Sequence, residues 1–293
     1  MATTLELPLI VIAGPTASGK SGLAMELAEQ FGGEIICADS RTVYKGMDIG
    51  TAKPSLEDQA LVPHWGLDLV EPDEPFTAAD FKEYANKKIA EVRARGHIPF
   101  LVGGTGLYVD AVVFDYKFGP VDHARRAELE LLSLEELILY CNENNIELPE
   151  NEKNKRYVIR AIEQNGVNST RLQEPQQNTI IVGITTEKDT LVTRIHQRSE
   201  QLFEQGVVEE ATDLADEFGW ESAAMTGNIY RLVHEYVDGE IDMAELKSKF
   251  ETSDWQLAKR QLTWLKRNPF IQWFELPKAR IYLAEKLAQI PRA

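Results

Sequence analysis

The octapeptide Gly14-Pro-Thr-Ala-Ser-Gly-Lys-Ser21 constrains the fold of this chain more than any other stretch. It fits the pattern G-x-x-x-x-G-K-[ST] and lies between a short apolar run and a helical pattern, as that motif requires. In this setting backbone N–H groups turn inward around an anion, and the helix N-terminus adds partial positive charge. We therefore predict a P-loop that binds a diphosphate or triphosphate. Its binding residues are Gly14, Thr16, Ala17, Ser18, Gly19, Lys20 and Ser21.

Two side chains of this P-loop bring charge and metal chemistry to the predicted site. Lys20 places a positive charge on phosphate oxygens, and the Ser21 hydroxyl can ligate Mg²⁺. The motif therefore predicts a bound phosphate chain with Mg²⁺ as the cofactor, and it leaves the reaction open.

The pattern along the chain predicts an α/β fold. Short, apolar, β-branched runs alternate with longer helical patterns, which favours a parallel sheet with flanking helices. The predicted strands are residues 9–13, 34–38, 98–102 and 179–185. The predicted helices are residues 21–31, 77–95, 123–144, 157–164, 191–218 and 243–266.

The length of 293 residues suits one α/β domain with an insertion. After residue 120 the pattern becomes acidic and helical, then polar and loop-like, before a further helix and strand follow. We predict a P-loop catalytic core of residues 1–119 and 156–293, interrupted by a short helical insertion at residues 120–155.

The net charge of −16 is unusual for a protein that binds nucleic acid, because phosphate contacts favour a basic surface. The local field decides binding, however, and basic residues cluster locally. These clusters permit an RNA-binding groove, and solvated helical faces explain them equally well. Their members are Lys153, Lys155, Arg156, Arg160 and Arg171 in one, and Lys259, Arg260, Lys266 and Arg267 in the other.

Composition argues against several other classes of protein. The two cysteines, Cys37 and Cys141, form no CxxC motif and no His/Cys cluster, so we expect neither a disulfide framework nor a zinc site. No apolar run reaches the roughly 20 residues that cross a bilayer. Residues 1–8 contain no Lys or Arg, so we expect no secretory signal, no membrane partner and a cytoplasmic location.

Asp39 is the best acidic candidate for the site. It lies at the carboxyl end of the second predicted strand, where open α/β sheets bind ligands. A carboxylate there can accept a proton or hold Mg²⁺ through water, and capping of a turn with Ser40 is an equally good interpretation. The third strand ends in Val102-Gly-Gly-Thr-Gly106 without an acidic residue, which argues against ATP hydrolysis. Thr105 and Tyr108 on that turn either line a pocket or pack in the core.

Several stretches together resemble the bacterial tRNA dimethylallyltransferases, also called tRNA isopentenyltransferases. Together with the P-loop, these stretches cover nearly the whole chain. Two of them are absent from P-loop kinases in general, namely the run from Asp48 to Pro54 and the run Ala258-Lys-Arg-Gln-Leu-Thr-Trp264. The other matching stretches are Ala38-Asp-Ser40, Pro63-His64, Asp68, Val102-Gly-Gly-Thr-Gly-Leu-Tyr108, Arg156, Ile159-Arg-Ala-Ile-Glu163 and Arg194-Ile-His-Gln-Arg198.

The resemblance implies a reaction and its partners. A dimethylallyl group would pass from dimethylallyl diphosphate to N6 of adenosine 37, next to the anticodon of tRNA. Asp39 would be the general base, while Thr16, Lys20 and Arg198 would stabilise the leaving diphosphate and Ser21 would help carry Mg²⁺. The partners would be dimethylallyl diphosphate and the anticodon stem-loop, and we expect a monomer. The tRNA-binding residues would be Asp39, Ser40, Arg41, Thr42, Thr105, Arg156 and Arg160.

The sequence departs from the family pattern at four places. Thr42 stands where Gln is common, and Tyr157 follows Arg156 where an Arg pair is common. Ile229 replaces the Gly of a Gly-Tyr pair, and Asp254-Trp255 replaces a Thr-Arg pair. We interpret all four, with the short insertion, as changes on the tRNA side that leave the diphosphate cradle intact. They predict a weaker or differently arranged grip on tRNA.

Three other functions remain open from the sequence. A P-loop kinase of a small molecule or nucleotide shares the P-loop and Mg²⁺ but consumes ATP. An isopentenyltransferase of free adenine nucleotides would not need an RNA-binding insertion. A catalytically inactive RNA-binding protein would not need Lys20, Ser21, Asp39 and Arg198. Without the resemblance, Arg198 is better explained as a helical surface residue paired with Glu204.

Overall fold

A computed structural model describes residues 6–119, 123–149, 151–164 and 171–290. The chain forms two compact units. The first combines Met1–Val113 with Glu174–Ala293, and the second is Phe114–Gln173. No helix among the described residues is both long and apolar enough to cross a bilayer.

The first unit is built on one parallel sheet of six strands. Its strand order is β3-β2-β4-β1-β5-β6, and the predicted α/β fold with a parallel sheet is confirmed. The four predicted strands all lie in the sheet, whereas the short strands β3 and β6 were not predicted. The strands are β1 (Leu9–Ala13), β2 (Gly33–Cys37), β3 (His64–Trp65), β4 (Ile98–Gly103), β5 (Thr179–Thr185) and β6 (Gln272–Glu275).

Helices flank this sheet, and some of them begin or end at residue types that commonly cap helices. Gly32 ends the first helix in a left-handed conformation, and Thr77 caps the third through Asp80. The predicted helix 191–218 is wrong as one element, because Gly206 has φ 94° and divides it into two. The helices of this unit are α1 (Lys20–Phe31), α2 (Leu56–Leu61), α3 (Ala78–Ala94), α4 (Gly106–Val113), α8 (Lys188–Glu204), α9 (Val207–Phe218), α10 (Asn228–Val237), α11 (Met243–Leu265) and α12 (Leu276–Ala288).

The core of the first unit surrounds strand β1, which is buried along its whole length. One cluster packs the sheet against α1 and α12, and a second packs α9, α10 and α11 against the segment around Tyr44 and Met47. Strands β2 and β4 end in close contact, because a Cβ atom at Gly103 would lie 2.0 Å from the carbonyl oxygen of Ala38. The two carboxyl ends next to the P-loop are therefore fixed by tight backbone packing.

The second unit is a small helical cluster. It contains α5 (His123–Glu130), α6 (Leu134–Glu143) and α7 (Lys155–Gln164), packed around Leu137, Cys141 and Val158. The predicted helix 123–144 is wrong as one element, because Ser133 caps the start of a new helix. The predicted insertion of residues 120–155 is also too narrow, since α7 packs on α5 and α6 and belongs to this unit.

Candidate active site

The P-loop connects β1 to α1 through two left-handed residues. Ala17 has φ 58° and Gly19 has φ 88°, and the Lys20 ammonium group donates to the carbonyl of Pro15 at 3.2 Å. A Cβ atom at Gly14 would lie 2.8 Å from the Ser18 hydroxyl, so the loop closes tightly on itself. This backbone turns successive N–H groups toward one space at the helix N-terminus.

A cavity of about 760 Å³ opens at the carboxyl end of the sheet. The P-loop, the segment after β2, the end of β4 and helices α8 and α11 all contribute to its wall. The predicted residues Thr16, Ala17, Gly19, Lys20, Ser21, Asp39, Ser40, Arg41, Thr42, Thr105 and Arg198 all line this one cavity.

Lys20 lies in a strongly desolvating environment. Burial lowers the pKa of its ammonium group to about 8, Asp39 opposes this effect, and Arg198 adds to it. An ammonium group placed among a carboxylate and a guanidinium gains stability when an anion binds beside it. The position therefore suits a phosphate oxygen.

Arg198 reaches the P-loop from α8. Its guanidinium donates to the Thr16 hydroxyl, and its Nη1 lies 3.6 Å from Oδ2 of Asp254. The interpretation of Arg198 as a surface residue paired with Glu204 is wrong, because these contacts turn the side chain into the cavity.

Two further side chains fix the P-loop, and no role was predicted for either of them. Arg194 lies one helical turn before Arg198, and its Nη1 donates to the carbonyls of Ser18 at 3.1 Å and Ala17 at 3.4 Å. Gln261 on α11 accepts a hydrogen bond from the Thr16 backbone N–H at 2.8 Å. The i, i+4 spacing of the two arginines was the available signal, since it places both on one face of a helix.

Asp39 caps the turn after β2 and also lines the cavity. Its Oδ1 accepts a hydrogen bond from the Arg41 backbone N–H at 2.8 Å, which caps the turn after β2. The carboxylate also lines the cavity opposite Lys20, and Oδ2 accepts no hydrogen bond from the residues that the structure describes. One oxygen is therefore held by the turn, and the role of Asp39 as general base stays a prediction.

The segment after Asp39 is tied down at several points. The Ser40 backbone N–H donates to the Thr105 hydroxyl at 3.2 Å. The Arg41 guanidinium donates to the carbonyl of Ala224 at 3.2 Å and to the Thr226 hydroxyl. Thr42 is buried, and its hydroxyl has no hydrogen-bond partner among the described residues. These contacts hold Ser40 and Arg41 along one wall of the cavity, which Thr42 also lines.

Tyr108 belongs to the core. It is buried and stacks on Phe81 with ring centroids 4.2 Å apart, so the packing interpretation of this residue is the right one. Thr105, at the start of the same turn, lines the cavity.

The segment from Asp48 to Pro54 is shaped by the buried side chain of Lys53 and the half-buried carboxylate of Glu210. Lys53 donates to the Tyr44 carbonyl at 2.7 Å and pairs with Asp48 and Asp68. From α9, Glu210 accepts hydrogen bonds from the backbone N–H groups of residues 48–50 and from the Tyr230 hydroxyl. Glu210 was not predicted, since nothing in its sequence context distinguishes it from the acidic residues around it.

One interpretation of the sequence departures needs correction. Asp254 was assigned to the tRNA side, but it is buried in the wall of the cavity next to Arg198. The change therefore falls on the cradle itself. Ile229 also lines this cavity.

The remaining predicted site residues lie on the second unit. Arg156 is exposed at the start of α7, and Arg160 pairs with Glu163 at 3.2 Å on the same helix.

The fold and the cavity together define an α/β protein in which cationic side chains converge on a P-loop beside a carboxylate. The model of the IPP transferase family matches residues 42–268. The chain belongs to the IPP transferase family, and its membership makes it an enzyme.

Curated relatives match almost the whole chain. A tRNA dimethylallyltransferase of Macrococcus caseolyticus is 35% identical, with 98% of this chain and 97% of the relative covered. A tRNA dimethylallyltransferase of Geobacillus thermodenitrificans is 37% identical, with 92% and 90% covered.

Solved structures agree with this assignment. A full-length tRNA isopentenylpyrophosphate transferase from Bacillus halodurans superposes with a TM-score of 0.74 at 34% identity, covering 96% of this chain and 97% of that one. A eukaryotic dimethylallyltransferase that acts on tRNA gives a TM-score of 0.77 at 21% identity, over 96% of this chain and 77% of that one, and shows the shared fold.

Proposed function

We propose that this enzyme transfers a dimethylallyl group from dimethylallyl diphosphate to N6 of adenosine 37 in tRNA and releases diphosphate. The observation that carries the proposal is the placement of Lys20, Arg198 and Asp39 around one cavity. An anion cradle and a carboxylate that face the same space suit a displacement reaction with an anionic leaving group. The names of its relatives point to the same reaction.

The reaction needs one bond exchange and one proton acceptor. The N6 lone pair attacks C1 of the dimethylallyl group, and the C1–O bond breaks with its electron pair leaving on diphosphate. The N6 proton passes to Asp39, whose Oδ1 is already held by the Arg41 backbone N–H. This contact fixes the carboxylate, so Oδ2 faces the incoming amine without a competing hydrogen bond from the described residues.

The leaving group gains negative charge as the C1–O bond breaks. Lys20 and Arg198 supply positive charge there, and the P-loop backbone supplies N–H donors. Thr16 orients the Arg198 guanidinium through the hydrogen bond between them. Gly14, Ala17, Ser18 and Gly19 would contribute backbone N–H groups, and of these four residues Ala17 and Gly19 line the cavity.

We assign Mg²⁺ to the Ser21 side of the cavity. The Ser21 hydroxyl lines this space, and hard oxygen donors are the ligands that Mg²⁺ prefers. When bound, the ion would neutralise charge on the diphosphate.

Binding of tRNA requires the base to leave its stack, because N6 cannot otherwise reach the cavity. Ser40, Arg41, Thr42 and Thr105 would contact the flipped nucleotide from the cavity wall. Arg156 and Arg160 of the second unit would contact phosphates of the anticodon stem-loop. We expect the enzyme to act as a monomer in the cytoplasm.

Incubation with unmodified tRNA, dimethylallyl diphosphate and Mg²⁺, without ATP, tests the proposal. Mass spectrometry of the digested nucleosides should show dimethylallyl adenosine at position 37. Asp39→Asn keeps the shape and the turn contact but removes the base, so kcat should fall by about 10²–10⁴-fold. Asp216→Asn, an exposed change of the same kind on α9, should leave the rate unchanged.

Two outcomes would contradict this function. Prenylation of free AMP in preference to tRNA would indicate an adenine-nucleotide isopentenyltransferase. Transfer of phosphate from added ATP to a small molecule, with no prenylated tRNA, would indicate a kinase.

The departure at Tyr157, where the family pattern has a second arginine, predicts a weaker electrostatic grip on tRNA. A plot of log K for tRNA binding against log salt concentration should have a shallower slope than that of the Bacillus halodurans relative. An equally steep slope would show that the grip is retained.

A further inference from the structure

Asp254 is a buried carboxylate in the middle of α11. Its exposed fraction is 3%, and it lines the cavity that holds Lys20 and Asp39. Its Oδ2 has no hydrogen-bond partner among the described residues, and Nη1 of Arg198 lies 3.6 Å away. Burying a carboxylate is unfavourable unless a cation compensates it. The position of this side chain therefore depends on Arg198.

Arg198 depends on Asp254 in turn. A guanidinium on a flexible side chain loses rotamer freedom when it is held in one place. Nε of Arg198 is buried without a hydrogen-bond partner in the described part of the chain. The contacts that fix the group are its donation to the Thr16 hydroxyl and its ion pair with Asp254. Without the carboxylate, only Thr16 would hold the guanidinium at the P-loop.

Helix α11 supports the same loop at a second point on the same face. Gln261 lies two turns after Asp254 and accepts the hydrogen bond from the Thr16 backbone N–H. Thr16 is thus held at its backbone by Gln261 and at its side chain by Arg198, which is itself held by Asp254. One helix face therefore sets the geometry of the loop and of the cation beside it.

The pKa of Asp254 reflects both the burial of its carboxyl group and the charges around it. Burial raises the pKa of Asp254, while Arg198 opposes this effect and Asp39 adds to it. Lys20, like Arg198, lowers the pKa of Asp254.

We propose that Asp254 is a positioning residue, whose ion pair holds the Arg198 guanidinium against Thr16, where charge develops on the leaving diphosphate. This inference rests on the proposed prenyl transfer. Asp254 lines the cavity beside Arg198, and charges on Lys20 and Asp39 also act on it. Because Arg198 is its ion-pair partner, we expect its main effect to pass through Arg198.

A double-mutant cycle tests this dependence. We expect Asp254→Asn to lower kcat about 10-fold, because a misplaced guanidinium loses alignment with the leaving group. The KM for tRNA should change less than about twofold, since the carboxylate lies on the cradle side. In the Arg198→Ala background, Asp254→Asn should cause no further loss. An equal loss in both backgrounds, or a wild-type rate for Asp254→Asn, would overturn the proposal.

Binding of inorganic pyrophosphate, measured by calorimetry without tRNA, separates this inference from the proposed function. Asp254→Asn should weaken pyrophosphate binding in the wild-type background and leave it unchanged when Arg198 is Ala. Tighter binding would mean that Asp254 only repels the anion, and it would overturn the inference. Absence of prenyl transfer by the wild type, together with coupled pyrophosphate binding, would instead reject the proposed reaction alone.

Further variants separate an effect on catalysis from a loss of folding. Asp254→Asn preserves the side-chain shape, and Asp254→Ser provides a smaller neutral variant that should show the same kinetic coupling. Glu251→Gln removes a carboxylate from the same helix, where it contacts the exposed His196, and should leave kcat unchanged. If Asp254→Ser lost activity to the same extent with and without Arg198, the role would be structural.

Discussion

The Arg198 guanidinium donates a hydrogen bond to the Thr16 hydroxyl, so a helix 182 residues away in sequence completes the P-loop. Arg198→Ala should lower kcat by about 10²–10³-fold, the usual cost of removing one donor that stabilises transition-state charge. Arg198→Lys should be intermediate, because it keeps the charge without the planar fork. Steady-state kinetics with saturating tRNA would measure both. Arg280→Ala on α12 is the matched control, and a similar loss there would contradict a specific role.

Arg194 holds the backbone of the P-loop by bonding the carbonyls of Ala17 and Ser18. We expect Arg194→Ala to weaken binding of inorganic pyrophosphate by about 1–3 kcal/mol, since hydrogen bonds to charged groups contribute in that range. Isothermal calorimetry in the presence of Mg²⁺ would give this difference. Arg231→Ala removes an exposed arginine from α10 and should have no effect. Unchanged affinity in Arg194→Ala would mean that the loop keeps its shape without this contact.

Glu210 accepts hydrogen bonds from the backbone of residues 48–50 and from Tyr230. Glu210→Gln replaces one acceptor oxygen by an N–H₂ group that faces other donors. We expect the free energy of unfolding to fall by about 1–2 kcal/mol, because the buried Tyr230 hydroxyl and the half-buried N–H groups of Ile49 and Gly50 lose part of their hydrogen bonding. Urea denaturation would measure the change, with Glu209→Gln, an exposed neighbour, as the control. Equal stability of the two variants would show that the turn does not need Glu210.

Glu34 makes one part of the stability dependent on pH. Burial raises the pKa of its carboxyl group, but hydrogen bonds from Arg95, Trp65 and His97 hold the pKa below its ordinary value. A lowered folded-state pKa means that the contribution is complete above the unfolded-state value of about 4.3 and is lost as pH falls through the folded-state value. The difference in unfolding free energy between the wild type and Glu34→Gln should therefore be largest near pH 7. It should shrink below about pH 4. Urea titrations across this range would check it, and a constant difference would contradict it.

The local sequence was enough to predict strands and helices whose positions are set by neighbouring residues. The octapeptide at Gly14 and the β-branched run before it predict the strand, loop and helix that the structure has. Thr77, a good N-cap residue, predicts the start of the helix that the structure shows as α3. Helix boundaries failed where a single residue interrupts a continuous pattern, as Ser133 and Gly206 do. Strands β3 and β6 were missed because they are too short to show a period.

The site could be predicted only where the type and position of a single residue indicate its chemistry. Lys20 and Asp39 follow strands, so their meeting at one edge of a parallel sheet could be expected. Gln261, Arg194 and Asp254 act through contacts with the P-loop across long sequence separations. No local pattern shows such contacts, because they depend on how α8 and α11 pack in the folded unit. For Asp254 the sequence suggested the wrong side of the site.

The close approach of Gly103 to Ala38 bears on how this cavity could change during evolution. An acidic residue at position 103, the last residue of β4, needs a Cβ atom where a carbonyl oxygen already lies. Strands β2 and β4 would therefore have to separate before this position could carry a carboxylate.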